Sequence, residues 1–125
     1  MKTFEDSIQL ILEDIERRKT VDYGNKASVR QYNAAYDRIA NNMRHIETNY
    51  PNRKDDFLEF MYHEDASIVH TFSCLVIYGR IFSVEEKKEA VCILNRMLSD
   101  GSIHGVASVT LGFVIPKWKQ EFGMV

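Results

Sequence analysis

The chain has 125 residues, of which 45% are hydrophobic and 27% are charged, and its formal net charge is −2. This composition excludes an intrinsically disordered or collagen-like chain, and the small net charge argues against a duplex-DNA binder that neutralises many phosphates. The length is that of one ordinary domain, so we expect residues 1–125 to form a single domain.

The first 50 residues predict a pair of amphipathic helices. The first helix is expected over about residues 3–19, because its apolar residues recur with the helical period of about 3.6 residues. A turn at residues 23–25 precedes a second helix, which Asn25 or Ser28 is expected to cap and which Pro51 ends. The apolar spacing of this helix fits either a coiled coil or one long helix of a bundle, and we favour the bundle.

Residues 53–82 predict a short helix followed by a longer one. The short helix covers about residues 53–62 and carries several large apolar side chains. A polar connector at residues 63–65 follows, and Asp65 is expected to cap a helix over about residues 66–81. These two helices form the second predicted helix pair.

Residues 83–122 predict a third helix pair. Ser83 and Glu86 have the spacing of a capping box and begin a helix that runs to about residue 98. Gly101 is expected to supply the left-handed residue that follows its end. A sixth helix begins after Ser102, and Pro116 is expected to kink or end it. No strand-like alternation persists along the chain, so the predicted fold class is all-α.

An internal similarity suggests how these helices are arranged. Residues 57–73 resemble residues 93–108 at an offset of about 35–36 residues, which is typical of helical repeats. A helix pair cannot bury its apolar face alone and therefore packs on the next pair. We predict a compact right-handed stack of about six helices, with residues 1–50 as the first pair and HEAT-like pairs at 53–82 and 83–122.

The compartment can be predicted from the pattern of charges and from cysteine usage. Charged residues interrupt the apolar residues near the N-terminus where a signal peptide would have an apolar core, and no apolar run approaches the ~20 residues of a membrane span. Cys74 and Cys92 are too few for a secreted disulfide scaffold, and we expect both to be buried thiols. We therefore expect a cytoplasmic protein that contacts neither a membrane nor nucleic acid directly.

Two groups of side chains raise the alternative of an enzyme. His70 and Cys74 lie one turn apart on the fourth predicted helix, so a thiolate–imidazolium pair is geometrically open. His63 and Glu64 suggest metal or acid–base chemistry, but a helical zinc site needs a second His four residues further on, and the chain lacks it. Sequence motifs of known enzyme classes are absent, so we expect no catalytic residue, bound metal or cofactor.

Two surfaces are candidates for binding a protein partner. Acidic residues around the third helix and at the start of the fifth form either a solvated rim or a patch complementary to a basic partner such as a nuclease toxin. A polar stripe on the fourth helix either faces a partner or groove or packs against another helix. The candidate partner-binding residues are Asp55, Asp56, Glu59, His63, Glu64, Asp65, Ser67, His70, Thr71, Tyr78, Glu85 and Glu86.

Residues 22–25 (Asp-Tyr-Gly-Asn) and 32–39 (Tyr-Asn-Ala-Ala-Tyr-Asp-Arg-Ile), with Trp118-Lys119 near the end, carry a family resemblance over about residues 3–120. The chain resembles small bacterial all-helical HEAT-like proteins grouped as a domain of unknown function, and is similar to immunity proteins of polymorphic and contact-dependent toxin systems. Val69 departs from the pattern, which usually has Arg there. The resemblance implies a non-enzymatic protein that binds and neutralises a cognate toxin domain. An adaptor for an endogenous cytoplasmic protein or peptide is the alternative.

Overall fold

The computed structural model describes residues 1–124, and within that range it contains helices and no strand. The all-α fold class is therefore confirmed, whereas the HEAT-like stacking stays a prediction. None of the helices in residues 1–124 combines the length and the apolar character needed to cross a bilayer. The helices are α1 (Phe4–Arg18), α2 (Lys26–Asn49), α3 (Lys54–Leu58), α4 (Ala66–Tyr78), α5 (Val84–Ser99) and α6 (Val106–Glu121), with single 3-10 turns at Pro51–Arg53 and Glu59–Tyr62.

The chain divides into two compact units, Met1–Lys54 and Asp55–Val125. In the first unit, α1 and α2 pack against each other along their apolar faces. In the second unit, α4 packs against α5 and against the 3-10 turn Glu59–Tyr62, and α5 packs against α6. The buried apolar side chains of the first unit are Phe4, Ile8, Ile11, Ile15, Ala35, Ile39, Met43 and Ile46.

The helix starts of the first unit follow from local side-chain hydrogen bonds. The Thr3 hydroxyl accepts a hydrogen bond from the Asp6 amide at 3.0 Å, and the Asp6 carboxylate accepts one from the Thr3 amide at 3.0 Å. Asn25, and not Ser28, caps α2, because the Asn25 side chain accepts a hydrogen bond from the Ser28 amide at 3.0 Å. Each bond satisfies an amide that the first helical turn leaves without a partner.

An ion pair around a buried carboxylate joins the middle of α2 to the end of α1. The Asp14 side chain is only 3% exposed, and its Oδ1 accepts hydrogen bonds from Arg38 Nη2 at 2.8 Å and Arg17 Nη1 at 2.9 Å. Arg38 Nε donates to both carboxylate oxygens, at 3.1 and 3.2 Å. Burial alone would raise the pKa of Asp14, but the hydrogen bonds from Arg38 and Arg17 outweigh it and lower the pKa below its usual value.

The prediction of one continuous helix over residues 53–62 is wrong. The structure divides this stretch into a 3-10 turn, the short helix α3 and a second 3-10 turn. The rings of Phe57 and Phe60 both lie 4.7 Å, centroid to centroid, from the ring of Phe72 on α4. A 3-10 turn has about three residues per turn, so it places residues three apart on one face. Residues three apart share a face in an α-helix as well, so the spacing of Phe57 in α3 and Phe60 in the 3-10 turn suits contact with the same side chain of α4.

Two later helix boundaries also differ from the prediction. The helix α4 ends at Tyr78, three residues early, and Gly79 follows it in an extended conformation. The helix α6 begins at Val106 and not directly after Ser102, because Gly105 takes a positive φ of 69° just before it. Pro116 does not end α6, which continues to Glu121. By contrast, Gly101 has the expected positive φ, 80°, after the end of α5.

Gly79 is required for close packing in the second unit. A Cβ at residue 79 would lie 2.7 Å from the Phe82 ring and 2.8 Å from the Leu75 carbonyl oxygen. Gly79→Ala is therefore expected to lower the free energy of unfolding by about 1–3 kcal/mol. Gly112, an exposed helical glycine with nothing within 4 Å of its Cβ position, is the matched control. Gly112→Ala is expected to raise the free energy by about 0.5–1 kcal/mol.

Urea denaturation, monitored by the fluorescence of Trp118, measures the free energy of unfolding of both variants. Trp118 is the one tryptophan of the chain and is buried in the second unit, so its emission reports unfolding of the unit that carries both glycines. Effects of the same sign and size for the two variants would contradict the steric explanation for Gly79.

Candidate functional site

All the predicted partner-binding residues lie in the second unit, and they differ in how open they are to a partner. Tyr78 is exposed, although the edge of its ring contacts Trp118 with the centroids 5.7 Å apart. The half-buried members are Asp65, Ser67, His70, Thr71 and Glu86. The other exposed members are Asp55, Asp56, Glu59, His63, Glu64 and Glu85.

Two of the predicted acidic contacts have structural roles. Asp65 caps α4, and its Oδ1 accepts hydrogen bonds from the amides of Ser67 at 2.8 Å and Ile68 at 3.3 Å. Glu86 completes the capping box of α5, where its carboxylate accepts a hydrogen bond from the Ser83 amide at 2.8 Å. Capping carboxylates hold the helix ends in place. Asp55, Asp56, Glu59, Glu64 and Glu85 are exposed, and on that ground they are the better candidates for contacting a partner; Glu85 also forms an ion pair with Lys88 at 3.4 Å.

A side-chain hydrogen bond of His63 stabilises the connector between the 3-10 turn Glu59–Tyr62 and α4. The ring nitrogen Nδ1 of His63 accepts a hydrogen bond from the Asp65 amide at 3.0 Å, and this bond closes a local turn. Within residues 1–124, no group of three or more His, Cys, Asp or Glu side chains is placed to hold a metal ion. His63 and Glu64 are both exposed, so both remain open to a partner protein.

The two cysteines differ from the expectation that both are buried. Cys74 is half-buried on α4, one turn after the half-buried His70. Cys92 is exposed, so the prediction for it is wrong. Its neighbours Val91 and Ile93 are buried, and a helix turns by about 100° per residue, so consecutive apolar residues need not all lie on the buried face.

The helix α6 carries a second apolar face that is exposed. The apolar spacing in the sequence does not distinguish this face from the buried one. Its core face consists of Leu111, Ile115 and Trp118, at steps of four and three residues. On another face, Val106, Val109 and Phe113 are 63%, 61% and 71% exposed, at steps of three and four residues. We call these three residues the α6 apolar stripe. The sequence signal is a helix that carries apolar residues at two sets of helical spacing, which an ordinary surface helix does not show.

Tyr62 adds an aromatic ring to the exposed surface near the predicted acidic residues. Its side chain is exposed, and it follows Glu59 in the 3-10 turn. Partial burial of the hydroxyl and the hydrogen-bonded carboxylate of Glu89 on α5 raise the pKa of Tyr62 above its usual value. The Tyr62 hydroxyl therefore interacts with α5 of the same unit, while the side chain stays exposed.

The second unit thus offers two kinds of contact chemistry to a protein partner. The α6 apolar stripe offers large apolar side chains, and the exposed carboxylates with Tyr62 offer negative charge and an aromatic ring. Comparisons of the chain with models of protein families, with curated proteins and with solved structures find no match.

Proposed function

We propose that the chain is a non-enzymatic protein-binding module that acts as an immunity protein, binding and neutralising a cognate bacterial toxin domain. The α6 apolar stripe is the observation that carries the proposal of protein binding. Folded proteins rarely leave several large apolar side chains together on an open face, and such patches mark interaction sites. Phe113 is the most exposed of the three, and aromatic side chains are enriched in the centres of interfaces.

Exposed carboxylates support a basic toxin domain as the partner. Asp55, Asp56 and Glu64 are all exposed in the second unit. A nuclease toxin must attract phosphate, so its own surface is basic, and complementary charge speeds its encounter with an acidic partner. The toxin as the class of partner rests on the resemblance at residues 22–25 and 32–39. A complex of ordinary size would bury about 1,200–2,000 Å² in total.

The direct test is co-purification of the tagged chain with the product of the gene immediately upstream, followed by titration of the purified pair. We expect a dissociation constant of about 1 nM or tighter, and loss of the toxicity of that product when the two are expressed together. A complex without any effect on toxicity, or no complex, would contradict the immunity function. An endogenous protein captured in place of a toxin would identify the adaptor function.

Substitutions in the α6 apolar stripe and in the exposed carboxylates show which of the two surfaces binds the toxin domain. Phe113→Ala is expected to weaken the complex by about 2 kcal/mol, or roughly 30-fold, through faster dissociation. Charge reversal of Asp55, Asp56 and Glu64 to Lys is expected to slow association by about tenfold and to remove most of its salt dependence. Tyr36→Ala, an exposed aromatic truncation in the first unit, is the control.

Binding kinetics measured at two salt concentrations distinguish these effects. Phe113 and Tyr36 are exposed, so their truncation is expected to keep the helical content and unfolding midpoint of the parent chain. Asp55 and Asp56 lie in the first turn of α3, so the helical content of the charge-reversed chain is compared with that of the parent before binding is measured. Unchanged affinity for Phe113→Ala would remove the α6 apolar stripe from the interface. An unchanged association rate for the charge-reversed chain would remove the acidic residues from it.

A further inference from the structure

The first unit contains a cleft that plays no part in the proposed protein interface. Its volume is about 400 Å³, and it lies beside the end of α1, the turn that follows and the first half of α2. Pockets for small molecules typically measure about 300–1,000 Å³, so the cleft can hold a ligand of metabolite size. The polar side chains that line it are Arg17, Thr20, Ser28, Gln31, Tyr32 and Arg38.

Two guanidinium groups are fixed at the wall of this cleft before any ligand binds. The buried carboxylate of Asp14 accepts hydrogen bonds from both Arg17 and Arg38 at distances of 2.8–3.2 Å. The two arginine side chains nevertheless remain 57% and 51% exposed. Arg38 uses Nε and Nη2 for Asp14, so its Nη1 group is left to donate to a ligand. Holding the arginines in advance lowers the entropy lost when a ligand binds.

A third arginine, Arg18, contacts a residue that lines the cleft. The guanidinium carbon of Arg18 lies 3.8 Å from the centre of the Tyr32 ring, and Tyr32 lines the cleft. The acidic groups in contact with the three arginines are Asp14 and, at 3.7 Å from Arg17, Glu13. Asp22 lies in the turn beside Ser28, so the attraction for an anion rests on the exposed guanidinium donors of Arg17 and Arg38 and not on an excess of positive charge.

Neutral groups in the cleft add hydrogen bonds at positions that an anion can use. The Ser28 hydroxyl oxygen accepts a hydrogen bond from the Asp22 amide at 2.8 Å, which leaves its own hydrogen to donate. The Gln31 amide is exposed on the same wall. Val21 and Ala34 line the remainder, where an apolar part of a ligand would fit.

We propose that this cleft binds the phosphate group of a small organic phosphate. Guanidinium groups bind carboxylates and phosphates alike, but a phosphate has three strong acceptor oxygens and a charge approaching −2. Arg17, Arg38, Ser28 and Gln31 offer more donors than the two oxygens of a carboxylate can accept. The phosphate oxygens lie against the arginines, and the organic part lies toward Val21 and Ala34. This site is independent of the proposed toxin interface, because its residues belong to the first unit.

Titration of the full chain with phenyl phosphate, followed by the backbone amide NMR signals, tests the proposal. Sodium chloride at matched ionic strength controls for screening, and benzoate tests whether a carboxylate suffices. We expect saturable shifts confined to the amides around Arg17, Thr20, Ser28 and Tyr32, and much weaker binding of benzoate. Non-saturating or dispersed shifts, or equal affinity for benzoate, would overturn the phosphate site.

A substitution that leaves the Asp14 ion pairs intact makes the test specific. Gln31→Glu places a negative charge on the wall of the cleft and is expected to weaken phenyl phosphate binding by about tenfold or more. Gln9→Glu adds the same charge at an exposed position of α1 that does not line the cleft, and is the matched control. Equal affinity of the two variants, with both folded, would overturn the assignment of the site to this cleft.

Discussion

Replacement of Phe72 by Ala is expected to lower the free energy of unfolding of the second unit by about 3–5 kcal/mol. The Phe72 side chain is completely buried, and its ring is 4.7 Å from the rings of both Phe57 and Phe60. Phe57 in turn lies 5.5 Å from Phe82, so the four rings form one continuous cluster. Truncation removes the contacts of Phe72 and leaves a cavity at the point where α4 meets the segment before it.

Urea denaturation followed by Trp118 fluorescence should show a midpoint lowered by about 1–3 M for Phe72→Ala. Phe113→Ala is the matched control, because it removes the same atoms from a side chain that is 71% exposed, and should change the free energy by less than about 0.5 kcal/mol. Phe72→Leu keeps most of the volume and is expected to cost about 1–2 kcal/mol, which keeps the comparison measurable if Phe72→Ala does not fold. Similar losses for Phe72→Ala and Phe113→Ala would contradict a packed aromatic cluster.

The parts of this fold that could be predicted from the sequence are those fixed by neighbouring residues. The caps at Asp65 and Ser83 were expected and are confirmed, because a capping bond joins a side chain to an amide two or three residues away. The left-handed Gly101 was likewise expected and is confirmed. These features depend on steric and hydrogen-bonding preferences that a short sequence window contains.

The parts that could not be predicted depend on contacts distant in sequence. Residues 51–62 divide into 3-10 and α-helical turns where Phe57 and Phe60 pack against Phe72, which lies on another helix. The continuation of α6 through Pro116 has a local reason instead, because the carbonyl that loses its hydrogen bond belongs to Gly112, which is exposed to water. Local propensity alone favours a simpler outcome at both places.

The candidate sites show the same limit. Exposed carboxylates such as Asp55 and Glu64 were expected from charge alone, and they are exposed. The α6 apolar stripe could not be separated from the core face of α6, because periodicity does not show which of two apolar faces is covered. The pairing of Asp14 with Arg38 crosses from α1 to α2, so it was not visible in the spacing of either helix.

Replacement of Asp14 by Asn is expected to lower the free energy of unfolding by about 2–4 kcal/mol at pH 7. The substitution leaves a buried amide group facing the donors of Arg17 and Arg38. Both arginines are about half exposed and can turn toward water, so the loss is smaller than for a fully buried ion pair. Far-UV circular dichroism during urea unfolding is the appropriate measurement, because the only tryptophan lies in the other unit.

The difference in unfolding free energy between the parent chain and Asp14→Asn should depend on pH, and this dependence tests the ion pair itself. The folded-state pKa of Asp14 lies below its usual value of about 3.9, so its contribution to stability is fully present above that pH and is lost as the pH falls toward the folded-state pKa. The gap in unfolding free energy between the parent chain and Asp14→Asn should therefore narrow steadily as the pH falls below about 4. Asp37→Asn, at an exposed position of α2, should show a difference below about 0.5 kcal/mol at every pH. A gap for Asp14→Asn that does not change between neutral and acid pH would mean that shape, and not the charge of the carboxylate, holds the two helices at this point.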